Sequence, residues 1–304
     1  MTVFSSDMLK DIDDVGVLSH SEQKTSFKAW NPGVNQVRLV PYPALSDLRN
    51  PNSEMRPTAA TELKVHYAKD LNDKVLEVFV CPKSYGESCA SCDHGWTVYN
   101  ARKELGKLKE DDKLWKRFLP SDAYVYYGFD RAREQEFIKA GLIQLEPIKF
   151  SKQIHEALEA LKNDPSVGKF MSITNGMDIK VTYSAAAALN RQQSLSIKET
   201  HPRSALLSSE YLSDQTTTDK KGNIVIAPQD HEMINELLVA AWGNISPISS
   251  LYSILKEDAI LDVMERMNSN DRLVTEVQFG TSPSNKLDAV MGASVEFDDD
   301  DVPF

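Results

Sequence analysis

Cysteine is scarce in this chain, at three in 304 residues, and the opening MTVFSSDMLKDIDDVG carries neither a basic nor an apolar leader stretch. A small, odd number of thiols without a secretory signal argues against a disulfide framework, so reduced thiols in a cytoplasm-like compartment are expected. Long apolar runs are missing too. No stretch approaches the roughly eighteen residues that a membrane-spanning helix needs, so no membrane partner is expected. The motifs G-x-x-x-x-G-K-[ST], G-x-G-x-x-G, G-x-S-x-G and H-E-x-x-H are all absent. Phosphate-cradling loops, nucleophile elbows and zincin chemistry are therefore excluded as motif-based readings, and no enzyme is expected.

Positive charge is in short supply, but only locally. The formal net charge is −11, yet residues 1–200 carry 27 basic and 27 acidic side chains while residues 201–304 carry 7 and 18. The whole excess sits in the last third, which ends EFDDDDVPF. An acidic tail on a neutral body is an arrangement of interaction tails, and the overall sign says nothing about what the body binds.

The three cysteines all fall within twelve positions, in CPKSYGESCASC (81–92). Clustering with one C-x-x-C step describes a ligand set one member short. Two strand-like runs, ELKVHYAK and KVLEVFVC, flank DLND and read as a hairpin. Such a turn returns Cys81 beside His66, giving His-x14-Cys-x7-Cys-x2-Cys. A Cys3His set suits a tetrahedral Zn2+ with no open position, hence one structural ion. His94, two residues after Cys92, is the competing ligand; simultaneous ligation with Cys92 from so short a loop is awkward, so His66 is preferred. Zinc deamination is unsupported, because Ala68 stands where H-x-E needs its glutamate and Ser88 where the motif needs proline before Cys89.

Along the chain, residues 1–29 read as a polar N-terminal arm and VNQVRLVPYP (34–43) as a strand ended by prolines. Residues 44–61 read as a long loop, and WTVYNARKELGKLKEDDKLWKRF as helical, with Val98, Ala101, Leu105 and Leu108 at helical spacing. DAYVYYGFD (122–130) is an aromatic strand, followed by LIQLEPIKF. SKQIHEALEALKND is a helix capped by Ser151, and MDIKVTYS alternates as a half-buried strand. Residues 201–270 form a region with two helices broken at Ser246-Pro247, packed on the core. Residues 271–304 are a linker and acidic tail. Many short strands with inserted helices define a β-rich α+β class and favour a small barrel. The core is placed at 30–200, with a metal subdomain at about 62–118.

The order of V-R-L-V-P strand, His66, Cys81, Cys89-x-x-Cys92, helical insert and aromatic strand resembles the zinc-containing single-stranded DNA-binding protein of T-even bacteriophages. Lys116-Arg117 before YVYYGF, and IKFSKQIHEAL, are further likenesses, and together they cover about residues 30–185. The likeness implies a five-stranded OB-fold core, a structural zinc, and binding of single-stranded DNA without sequence preference in replication, recombination and repair. It places Arg38, Lys116 and Arg117 as phosphate contacts and an exposed aromatic near Tyr124. The terminal DDDDVPF resembles the tip of bacterial single-stranded DNA-binding proteins, which implies that Asp298, Asp299, Asp300, Asp301, Val302, Pro303 and Phe304 dock replication, recombination and repair proteins. Host-cell cytoplasm is the implied location.

A sequence-tolerant reader of single strands needs aromatic faces for bases and a basic groove for phosphates. Strand alternation sets Tyr124 and Tyr126 on one face and Tyr127 and Phe129 on the other, and the first pair is expected to line the groove, with Arg131 and Arg133 just beyond. Placement adds Lys64, Tyr67, Tyr99, Lys149, Lys180 and Tyr183. The rival reading is a zinc-stabilised protein–protein adaptor whose groove holds no DNA.

Overall fold

A computed structural model describes residues 27–50, 52–70, 74–106, 115–164, 169–184, 193–195 and 203–268. The strands are β1 (Gly33–Val40), β2 (Tyr42–Leu45), β3 (Met55–Thr58), β4 (Thr61–Lys69), β5 (Val75–Val80), β6 (Ser121–Asp130), β7 (Glu146–Phe150), β8 (Gly176–Met177), β9 (Ile179–Tyr183), β10 (Gln193–Leu195), β11 (Arg203–Ser204), β12 (Thr217–Thr218) and β13 (Ile224–Val225). The helices are α1 (Ala90–Glu104), α2 (Glu134–Ala140), α3 (Lys152–Asn163), α4 (Pro228–Gly243) and α5 (Glu257–Asn268). The class is mixed α+β.

A seven-stranded sheet, paired antiparallel throughout, runs β10-β9-β1-β6-β4-β5, with β7 joining β6 from its other side. β6 organises it. One edge of this ten-residue strand takes β4 along Ser121–Val125 and then β1 along Tyr127–Asp130, while β7 holds the opposite edge from Tyr124 to Gly128. The chain between β1 and β4 leaves the sheet opposite Tyr126 as the β2–β3 hairpin, so the stretch expected to be a loop contains a strand. Tyr42 ties the hairpin down, its ring 4.3 Å from that of Tyr127 and its hydroxyl on Thr61. Among the described residues the sheet does not close, so the closed five-stranded barrel expected from the sequence is not what the strand pairing traces.

Both faces of the sheet are covered. On one, Val65, Val125, Tyr127 and Phe129 pack against Ile234, Leu238, Ala241 and Trp242 of α4. On the other, Val37, Tyr126 and Val181 pack against Ile154 and Leu158 of α3. The Ser151 cap on Ile154 N forms as the sequence predicts (3.4 Å). A third cluster joins Phe79 and Phe118 to Ile260, Val263, Met264 and Met267 of α5. No described helix is long and apolar enough to cross a membrane. Within the segment expected as an arm, Lys28 is buried on Asp130 at 2.7 Å, and its backbone N–H donates to Pro147 O at 2.8 Å. Residues 1–26 and the tail 298–304 lie outside the described residues.

Candidate metal centre

The β4–β5 hairpin sets His66 opposite Phe79 and Val65 opposite Val80, so Cys81 lies two residues past the partner of His66, level with Lys64. Cys81 N–H donates to Lys64 O at 2.7 Å, which anchors the backbone of the first cysteine to β4. A 3-10 turn at Pro82–Tyr85 ends at Gly86, whose φ of 78° is the left-handed conformation that glycine adopts without strain. Cys89 is the N-cap residue of α1, and Cys92 lies in its first turn. The C-x-x-C step therefore places two thiols at a helix N-terminus, where backbone N–H groups and the helix dipole favour thiolate.

The four donor atoms all lie within 4.8 Å of one another, and all four residues are buried. His66 Nε2 is 3.3 Å from Cys89 Sγ and 3.6 Å from Cys92 Sγ, and Cys81 Sγ is 3.6 Å from Cys92 Sγ. A tetrahedral ion with metal–sulfur bonds of about 2.3 Å and metal–nitrogen bonds of about 2.0–2.1 Å implies edges of roughly 3.5–3.8 Å. The residues fit a bound metal ion. Three thiols this close resist joint ionisation without a cation. Hydrogen bonding with Cys89 pushes the Cys81 thiol up to about 11, and Cys92 is also driven upward by its thiol neighbours. Cys89 is held low as the shared acceptor.

Sequence reading missed the surroundings of these ligands. Ser91 Oγ donates to Phe118 O at 2.9 Å, so its lone pairs face His66 Nδ1 at 3.5 Å. That arrangement puts the imidazole proton on Nδ1 and leaves Nε2 to the metal. Phe79 stacks on the His66 ring at 4.8 Å and 17°. Ser91 had a local signal, its place inside C-x-x-C; Phe118 had none, since only the fold brings it near. His94, the competing ligand, points away and meets the Phe118 ring edge-on at 4.6 Å. Accordingly, His94→Ala is expected to retain one metal per chain, whereas Ser91→Ala lowers metal affinity about tenfold; competition against a chromogenic chelator measures both.

The expected DNA contacts divide sharply. Arg38 is fully buried, and its guanidinium donates to Ser172 O at 2.7 Å, Ser204 O at 3.0 Å and Ser204 Oγ at 2.9 Å. Burial lowers its pKa to about 10. Arg131 makes a two-pronged pair with Asp178 (2.9 and 2.8 Å) and reaches Glu134 at 2.8 Å. Both arginines hold the β8–β11 region to the sheet: Arg38, expected as a phosphate contact, and Arg131, expected beside the groove, are engaged within the fold. Tyr124 and Tyr126 are buried as well: Tyr124 stacks on His155 at 4.0 Å, and the Tyr126 hydroxyl lies 2.8 Å from His155 Nδ1. They line no open groove, because α3 covers the face that was expected to be free. Arg117 donates to Lys69 O at 2.9 Å and Met267 O at 2.8 Å, again a clamp within the fold.

The remainder lie nearer solvent. Lys64 is exposed and 3.3 Å from Asp122. Arg133 pairs with Glu146 at 2.9 Å and overlies Phe137. Lys149 sits over the half-buried Tyr67 ring at 4.7 Å. Lys180 is half-buried opposite Gln36, and Tyr183 is half-buried between Gly33 and Gln193 at the strand's end. Tyr99, on α1, lies 5.5 Å from Trp96 and 4.8 Å from Trp115, and Lys116 overlies Trp115 at 5.5 Å. The two tryptophans were not among the expected contacts; their spacing from Tyr99 and Lys116 was the available signal. No protein-family model matches the chain, and comparison with curated proteins yields no match.

Proposed function

We propose that the chain is a single-stranded DNA-binding protein with one structural zinc, an OB-type core and no catalytic activity, serving DNA replication, recombination and repair. The observation that carries the reading is the aromatic group on the metal-held helix: Trp96 and Tyr99 against Trp115, half-buried, with Lys116 over the Trp115 ring. Half-exposed rings with cations beside them suit sequence-tolerant stacking, at about 1–3 kcal/mol per base. Tyr67 under Lys149 offers a second ring–cation pair. The order of metal ligands and strands resembles the phage family, and the edge of β6 shared between β1 and β4 supports a curled, OB-type sheet. The Asp298–Phe304 tip is assigned to partner docking on its resemblance.

A second reading, the zinc-stabilised adaptor without a DNA groove, is favoured by the burial of Arg38, Tyr124 and Tyr126. Intrinsic fluorescence on adding oligo-dT separates the two. The DNA-binding reading expects quenching by the single strand but not by duplex, with log affinity falling against log salt by about 0.7 per phosphate contacted. Trp115→Ala and Tyr99→Ala are each expected to weaken binding about tenfold. Absence of any response at low salt from metal-loaded protein, with and without residues 271–304, would assign the chain to the adaptor class.

A further inference from the structure

Helix α5 supplies no metal ligand, yet it packs directly behind the residues that flank the centre. Its buried side chains Ile260, Val263, Met264 and Met267 meet Phe79 and Phe118. Phe79 is the ring stacked on His66, and Phe118 supplies the carbonyl that orients Ser91 toward His66. The C-terminal end of α5 is pinned separately, by Arg117 donating to both Met267 O and Lys69 O. One guanidinium thus joins the helix end, the end of the metal-bearing hairpin and the segment holding Phe118. The opposite side of α5 is solvated, with Leu261, Asp262 and Glu265 exposed.

We propose that α5 is a strap that locks the metal centre: docking of α5 and retention of the ion form one local cooperative unit, with Arg117 as its latch. The physical reason is that the ligand His66 and its partner Ser91 are held in place by two phenylalanines, Phe79 and Phe118, that also pack against α5. Undocking α5 exposes those rings and frees the imidazole to turn. Local openings of this kind occur well below the free energy of global unfolding, so the strap sets the rate of metal loss. Its position at the root of residues 269–304 makes events on that segment able to reach the metal.

The test uses full-length, zinc-loaded protein and a chromogenic chelator. Arg117→Ala is expected to release zinc about tenfold faster than wild type, since two charge-assisted hydrogen bonds to backbone are lost. Leu261→Asp, on the solvated side, releases it at the wild-type rate. Equal rates for Arg117→Ala and wild type overturn the strap. A second arm avoids substitution altogether and follows amide exchange before and after metal removal. Exchange in 257–268 is expected to rise while that in α4, packed on the other face of the sheet, does not. Unchanged exchange in 257–268, or an equal rise in α4, overturns the local unit.

Discussion

Cys89→Ser is expected to abolish stoichiometric metal binding and to destabilise the protein by at least about 4 kcal/mol, since the binding free energy of a structural ion is folding free energy. For a folded body of this size that corresponds to a fall in melting temperature on the order of 10 °C. Cys89 is the sulfur that both other thiols and His66 approach, and it is also the N-cap residue of α1. Its loss removes one of the two α1 sulfurs that link helix and hairpin, leaving Cys92 alone. Thermal melts with and without chelator give the check: wild type should lose stability on chelation, while the variant, already without the ion, should not respond. A variant that still melts with wild type and still responds to chelator would remove Cys89 from the ligand set.

The second large effect concerns Asp178→Asn, expected to cost about 3–5 kcal/mol. Asp178 lies between two buried cations, 2.8 Å from Arg131 and 3.5 Å from Arg38. Burial pushes its carboxyl up, but the hydrogen bonds and charge of Arg131, with Arg38 behind, outweigh that and hold it below its ordinary value. The amide keeps the shape and removes the charge, leaving two guanidinium groups with Glu134 alone. The pH dependence has a defined sign. A carboxyl whose folded pKa is depressed contributes stability above its unfolded value near about 3.9 and loses it as pH falls through the lower folded value. Wild type is therefore expected to lose this contribution only below about pH 4. The gap between wild type and Asp178→Asn should be full at neutral pH and shrink in that acid range. Urea melts across pH decide it; a gap that does not change with pH would mean the carboxylate charge is not what the arginines require.

The metal centre and the Asp178 cluster differ in how far the sequence reveals them. The metal centre was legible because its information is local: three clustered thiols, a hairpin that returns the chain, and a histidine in register. The α3 cap and the alternation of β9 were legible for the same reason. Arg38 was not, because an arginine in a groove and an arginine in a core look alike until Asp178, Ser172 and Ser204 are brought around it from more than a hundred residues away. β6 misled in a more instructive way. Alternation assumes one wet face, but positions 123 to 130 are buried without a break, and the near-continuous apolar and aromatic run AYVYYGF was itself the mark of a strand covered on both sides. The helix start at Ala90 was passed over because the periodic positions begin only at Val98, and Cys89, the N-cap residue, makes no side-chain capping bond that would mark the start.

The centre on which the aromatic group and the strap are both built can be probed directly by loading the protein with Co2+ and recording its absorption spectrum. Four-coordinate binding by three thiolates and one imidazole should give intense tetrahedral ligand-field bands with thiolate charge transfer, saturating at one ion per chain. The ion should be displaced stoichiometrically by Zn2+. Weak, octahedral-type bands, or no saturable uptake at all, would contradict a closed centre of His66, Cys81, Cys89 and Cys92.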